Sequence, residues 1–109
     1  MSLANFIKPI VLKTILSSAV SATYAAINTD GLEQPCFMLK IVNNSTEAVT
    51  ISYDGTNDHD YVPTITTATI QNSPSQPHNG GGLFKMGTAV YVKGTAGTGN
   101  VYLVGYYQG

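Results

Sequence analysis

A chain of 109 residues with 10% charged residues and a formal net charge of −1 has room for one ordinary domain. Its five basic residues are all lysines and are spread along the chain, which excludes the clustered Lys and Arg side chains that bind a phosphate backbone. The single cysteine, Cys36, excludes an intrachain disulfide scaffold, and no apolar run reaches the ~18 residues of a membrane-spanning helix. We therefore expect no direct nucleic-acid contact and no membrane contact.

The first 27 residues have an ambiguous pattern. Leu12, Leu16 and Val20 lie at helical spacing, whereas the β-branched residues and serines of the same segment favour extended structure. We predict a strand followed by an irregular arm, with a helix as the alternative. The predicted organisation is an extended N-terminal arm or first strand over residues 1–27 and a β-sandwich domain over residues 28–109.

From residue 36 onward, apolar and polar residues alternate with a period of two between turn residues, a pattern typical of half-buried strands. It predicts strands over 36–42, 48–53 and 61–70, with turns at 43–45 and 54–55. Because Pro63 cannot donate a backbone hydrogen bond, we expect the strand over 61–70 to lie at a sheet edge or to be kinked.

The last third of the chain contains the clearest strand pattern. Residues 72–82 hold two prolines and three consecutive glycines and are predicted to form an exposed loop. Residues 88–93 and 100–107 flank a Gly-rich segment and are predicted to pair as an antiparallel hairpin. Both faces of 100–107 are apolar, so we expect one face to meet the core and the other to be covered as well. Together these segments predict an all-β fold, an antiparallel β-sandwich or jelly roll of about seven to eight short strands.

The densest polar cluster, residues 52–61, contains four residues whose oxygens suit a hard cation such as Ca²⁺: Asp54, Asn57, Asp58 and Asp60. The cluster lacks the spacing of an EF-hand loop. Asp and Asn also close turns through side-chain to backbone hydrogen bonds, which accounts for the same residues without a metal. The leading interpretation is therefore no metal site, with Ca²⁺ at these four residues as the alternative.

The sequence contains no recognisable catalytic arrangement. His59 lies between two aspartates, as a tuned base would, but no partner nucleophile and no G-x-S-x-G turn can be assigned. The glycines at 80–82 and 94–99 are not followed by the Lys-Ser/Thr pair of a phosphate-binding loop. We predict that the chain is not an enzyme, with no catalytic residues and no cofactor.

Four segments carry a resemblance to a known family: 41–45 (IVNNS), 51–63 (ISYDGTNDHDYVP), 86–94 (MGTAVYVKG) and 101–107 (VYLVGYY). Over about the last two thirds of the chain they resemble the small β-sandwich virion structural proteins of tailed bacteriophages. The resemblance implies a strand ending in an Asp-Gly turn, a strand entered through a proline, a variable loop and a terminal hairpin. It implies no enzyme and no fixed site residues.

The expected function is that of a non-enzymatic structural subunit of a tailed-phage virion, either a capsid cement (decoration) protein or a head-tail neck (connector) component. Its expected location is the virion, and its expected partners are capsid, portal or tail subunits and further copies of itself as a homo-oligomer. The alternative is a carbohydrate- or receptor-binding module of a phage fibre or spike, using the 54–61 loop and tyrosines such as Tyr102 and Tyr106.

Overall fold

The computed structural model describes residues 7–71 and 84–108. In these residues nine strands form two antiparallel sheets packed as a sandwich, with one short 3₁₀ turn at Ser17–Ala19 and no α-helix. The strands are β1 (Ile7–Pro9), β2 (Lys13–Leu16), β3 (Ala25–Ala26), β4 (Met38–Ser45), β5 (Val49–Ser52), β6 (Asp60–Val62), β7 (Thr66–Gln71), β8 (Tyr91–Gly94) and β9 (Gly99–Gln108). The predicted all-β sandwich is confirmed, with nine strands instead of seven or eight.

The first sheet, sheet A, is centred on β9 and β4. Met38 lies opposite Tyr106 and Ser45 opposite Gly99, so the two strands pair over their full shared length. β1 and β2 run one after the other along the free side of β9, and β7 runs along the free side of β4. The second sheet, sheet B, has the order β3-β8-β5-β6. Sheet A thus has five strands and sheet B four, and this order of strands in two packed sheets is that of a jelly roll.

The core lies between the two sheets and is built from the inward-facing alternate residues. In sheet A, Ile41 of β4 lies opposite Leu103 of β9, and Leu39 and Val101 are on the same inward face; all four side chains are fully buried. Sheet B contributes the buried side chains Val49, Ile51, Val62 and Val92, and Val90, just before β8, is buried with them. Burial of such side chains is worth about 1.5–3 kcal/mol each and is the main stabilising term of the fold.

The N-terminal segment is extended where the structure describes it. β1 and β2 pair with β9, β3 pairs with β8, and Ile10 and Val20 belong to the core. The helical alternative for this segment is not adopted, because Leu12 and Leu16 point to solvent while Ile15 packs on the core. The division of the chain at residue 27 stays a prediction.

The predicted strand over 61–70 is in fact two strands in different sheets. β6 ends at Val62 in sheet B, and β7 begins at Thr66 in sheet A. Pro63 lies between them, where its missing N–H costs no ladder bond. Ile65 has a φ of 52°, a left-handed conformation that lets three residues carry the chain from one sheet to the other.

The predicted hairpin of 88–93 with 100–107 was wrong. β8 belongs to sheet B and β9 to sheet A, and the Gly-rich segment between them crosses the sandwich instead of closing a hairpin. A Cβ on Gly97 would lie 2.5 Å from Thr46 Oγ1, so the crossing passes too close to the 46–47 turn for a side chain there. The predicted turn at 43–45 also lies inside β4, and the chain turns after Ser45. The predicted loop over 72–82 lies outside the described residues.

Candidate functional site

The loop after β5 is organised by the carboxylate of Asp54. Its Oδ1 accepts hydrogen bonds from the backbone N–H groups of Thr56 and Asn57, both at 2.8 Å, and from the Ser52 hydroxyl at 2.8 Å. Its Oδ2 accepts one from the Asn57 side chain at 2.8 Å. These donors, the backbone of Asn57 first, hold the pKa of Asp54 well below its usual range. The turn is therefore closed by aspartate hydrogen bonds to the backbone, as sequence reasoning allowed.

Asp58 is tied to the neighbouring strand β8. It accepts a short hydrogen bond from the Tyr24 hydroxyl and lies 2.9 Å from Lys93 Nζ, which also sits 4.8 Å from the centroid of the Tyr24 ring. The Tyr24 bond and then the Lys93 bond lower the pKa of Asp58. Desolvation and this same hydrogen bond raise the pKa of Tyr24 to about 12. Tyr24, Asp58 and Lys93 thus form one hydrogen-bonded cluster on the outside of sheet B.

His59 and Asp60 line an open cleft of about 310 Å³ together with Thr50, Asp58 and Tyr61. His59 Nδ1 accepts a hydrogen bond from the Tyr53 backbone N–H at 2.9 Å, and the two rings stack at 5.5 Å. Asp60 accepts a hydrogen bond from the Tyr53 hydroxyl at 2.7 Å. Both side chains therefore hold the loop in contact with Tyr53. That the chain is not an enzyme stays a prediction.

The four Ca²⁺ candidates do not gather around one point. Asp54, Asp58 and Asp60 each bond a different set of protein donors, and Asn57 donates to Asp54. Among the residues that the structure describes, no three His, Cys, Asp or Glu side chains converge as a metal site requires. The Ca²⁺ alternative stays a prediction, which calorimetric titration with Ca²⁺ would test.

Acid titration provides a first testable prediction for this loop. The depressed pKa of Asp54 means that its stabilising contribution is fully present above about pH 4, the unfolded value, and is lost as pH falls towards the folded value. We expect the Tm to fall between about pH 5 and pH 2, and to fall less in Asp54→Asn, when both are followed by scanning calorimetry. Thr64→Asn, a change at an exposed residue outside this loop that removes no charge, is the control and should keep the wild-type pH dependence. An Asp54→Asn profile parallel to wild type would contradict the prediction.

One edge of sheet A carries exposed apolar side chains. We name it flank 1: the edge formed by β1, β2 and the residues between them. Val11, Leu12 and Leu16 are 64%, 54% and 59% exposed there. Lys8 and Lys13 lie on the same edge, and the backbone N–H of Val11 is bonded to the Glu33 carboxylate at 3.0 Å. In the described part of the chain no strand pairs with the outer side of flank 1.

The opposite edge of sheet A is a second exposed strand. We name it flank 2: β7, the 63–65 connection and the adjoining β6. Tyr61 and Ile65 are 66% and 70% exposed on it. β7 pairs with β4 on one side, and within the described residues its other side has no neighbouring strand. Sheet A therefore has an open edge on both sides, and the exposed apolar side chains of flank 2 come from the 63–65 connection and from β6 of sheet B.

The outer face of sheet A is also apolar, as the alternation in the last strand predicted. Tyr102, Val104 and Tyr106 of β9 point outward and are half-buried, in register with Val42, Lys40 and Met38 of β4. Lys40 Nζ lies 5.5 Å from the centroid of the Tyr106 ring. The tyrosines proposed for a sugar surface are thus partly covered by their own sheet neighbours. No helix in the described residues has the length and apolarity needed to cross a membrane.

Sequence reasoning found the polar loop and missed both flanks. The local signal for flank 2 was present, because Tyr61 and Ile65 are apolar residues beside a proline. Because the pattern predicts one strand over 61–70, it does not predict the exposure of these side chains. For flank 1, the helical spacing of Leu12 and Leu16 arises because both residues point away from the core.

Neither a family model nor a curated protein matches this chain. A solved structure of a Bacillus endospore appendage, from a novel family of disulfide-linked pili, is similar over 96% of this chain and 88% of its own, with a TM-score of 0.52 and 19% identity. At this identity the likeness establishes the fold.

The comparison contradicts the predicted tailed-phage virion subunit, its location in the virion, and the phage-fibre alternative, because the protein that shares the fold forms pili. Of the four segments that carry the resemblance, 41–45 lies inside β4 and 101–107 inside β9, and the resemblance itself stays a prediction.

Proposed function

We propose that this protein is a non-enzymatic structural subunit that assembles with copies of itself into a fibrous surface appendage, of the kind that its structural neighbour forms on Bacillus endospores. The observation that carries the proposal is the pair of open edges on sheet A. A subunit with two different exposed edges on opposite sides repeats head to tail, and such contacts build open filaments when they do not close into a ring. The shared fold with a pilus protein supports the same assignment.

The composition of the chain also suits repeated contacts. With 10% charged residues, the surface is polar and largely neutral, so a neighbour can cover it without burying an unpaired charge. The exposed strands at both flanks can each be covered by the next copy, which would remove the aggregation hazard of a free edge. Partners of this subunit are then further copies of the same chain.

The proposed assembly is not held by disulfides between these residues. Cys36 is the single cysteine of the chain, is fully buried, and packs beside Gly105 in the core. Burial and the nearby Glu33 charge raise the pKa of its thiol, which lowers the thiolate fraction available for disulfide exchange. This chain therefore differs from its disulfide-linked neighbour in how its subunits are joined.

This difference gives a second testable prediction. Polymers of the wild-type protein should run as monomers on a non-reducing denaturing gel, and Cys36→Ala should assemble like wild type. The substitution should lower the free energy of unfolding by about 1 kcal/mol, because it removes one buried atom from the core. A ladder of covalent oligomers that a reductant abolishes would contradict the prediction.

The proposed function is tested by concentrating the purified chain and following it by sedimentation velocity and negative-stain electron microscopy. We expect concentration-dependent association that ends in filaments of uniform width. A single monomeric species at all concentrations, with no filaments, would overturn the proposal. Discrete closed rings would contradict the proposed filament and show that the subunit forms a cyclic oligomer instead.

A further inference from the structure

Ile65 has a conformation and an exposure that the isolated subunit does not explain. Its φ of 52° lies in the left-handed region, which β-branched residues rarely adopt and which Gly, Asn and Asp accept more readily. Its side chain is 70% exposed, so it buries little apolar surface in return. The connection between β6 and β7 would form with less strain if residue 65 were Asn.

We infer that Ile65 is the anchor residue of the contact between subunits and packs against the exposed apolar side chains of flank 1 on the next copy. This inference rests on the proposed function, because it needs a second copy of the chain. Strained residues that persist without a local benefit concentrate at binding sites. Apolar anchors near the centre of a contact supply most of its affinity.

The register of sheet A places Leu16 of flank 1 and Ile65 of flank 2 at the same position along the strand direction. Leu16 lies opposite Asn100 on β9, and Asn100 lies opposite Asn44 on β4. Thr66, next to Ile65, lies opposite Asn43, one residue away along the same strand. A copy shifted sideways by the width of the sheet, about 20 Å for four strands, would therefore bring Leu16 of one subunit level with Ile65 of the other.

When one copy lies beside the next in this way, a positive charge on flank 1 faces negative charges beside flank 2. Lys8 lies opposite Tyr107, at the end of sheet A where β4 begins. The acidic loop that follows Tyr53 lies at that end too, because Tyr53 contacts Phe84 and Phe84 is bridged to Cys36, just before β4. Lysine on flank 1 would thus approach the aspartates beside flank 2 while the apolar residues meet at the other end.

The test compares variants of the full chain for stability and for assembly. In Ile65→Asn the strain is relieved, so we expect a higher Tm and a critical concentration for assembly raised about tenfold or more. Ile65→Val keeps both the strain and the apolar character and should stay within about threefold of wild type. Met86→Asn removes a different exposed apolar side chain, one that belongs to neither flank, and should leave assembly unchanged.

Mixing two assembly-deficient variants identifies the geometry. Leu16→Thr disables flank 1 and Ile65→Asn disables flank 2, so an equal mixture retains one intact pair of flanks and should form a one-to-one heterodimer that does not elongate. If wild type assembles and Ile65→Asn assembles equally well, or is less stable than wild type, the anchor assignment is wrong while the proposed function stands. If wild type itself stays monomeric, the proposed function is wrong, and the anchor assignment that rests on it is wrong as well.

Discussion

Replacing Asn43 by leucine should lower the free energy of unfolding by about 3–5 kcal/mol, a large share of the stability of a domain this size. The Asn43 side chain is fully buried, and its Nδ2 donates to the backbone carbonyls of Glu47 at 2.9 Å and of Val62 and Pro63 at 3.1 Å each. Its Oδ1 accepts a hydrogen bond from the Ser45 hydroxyl. Leucine has the same number and branching of side-chain heavy atoms, so most of the loss comes from buried polar groups left without a partner.

The control is Asn44→Leu in the same strand, where the side chain is exposed and the cost should stay within about 0.5 kcal/mol. Urea denaturation followed by circular dichroism measures both variants. Asn43 links the backbone of Glu47, in the turn between β4 and β5, to the backbone of Pro63, in the connection between β6 and β7. Its loss should therefore also speed proteolysis of the connection between β6 and β7. Equal stability of Asn43→Leu and wild type would show that these hydrogen bonds make no net contribution.

Gly31→Ala should lower the free energy of unfolding by about 2–5 kcal/mol. Gly31 has a φ of 78°, and a Cβ at this position would lie 2.3 Å from the backbone oxygen of Gly87. The two backbones approach because Leu32 donates to Thr88 and Gly87 donates to Leu32, with N···O distances of 2.9 and 2.8 Å. The substitution combines left-handed strain of about 1–2 kcal/mol with displacement of a hydrogen-bonded segment.

Gly87→Ala is the matched control, since Gly87 also has a positive φ of 89° but has open space where a Cβ would lie. It should cost only the strain, about 1–2 kcal/mol. Thermal unfolding of both variants in parallel separates strain from steric overlap. Similar losses at the two positions would contradict the close approach of these backbones.

The strands of this protein were largely predictable, and their assignment to sheets was not. Period-two alternation reports which residues of a strand share a face, and Leu39 and Ile41, which share one face of β4, are both buried in the core. It does not report which neighbour a strand pairs with. The segment between β8 and β9 therefore predicted a hairpin, although its four residues are long enough to cross the roughly 10 Å between sheets.

Asn43 shows the same limit for a single residue. Asn beside Asn and Ser is typical of a turn, so the sequence favoured an exposed position. In the structure Asn43 is buried inside β4 and bonds groups up to 20 residues away along the chain. Local preference does not encode such partners. In the candidate site, the turn closed by Asp54 was predictable because its donors are two and three residues away.

The central position of β9 determines when the two flanks can exist during synthesis. β9 follows β1, β2 and β4 in the chain, yet it is the strand with which all three pair. Until β9 emerges from the ribosome, flank 1 has no strand to hold it and sheet A has no centre, so neither edge can be presented in its final geometry. A nascent chain is thereby unable to join a neighbour by these edges before its own fold is complete. In the proposed assembly, polymerisation by these edges would therefore wait until β9 has been synthesised.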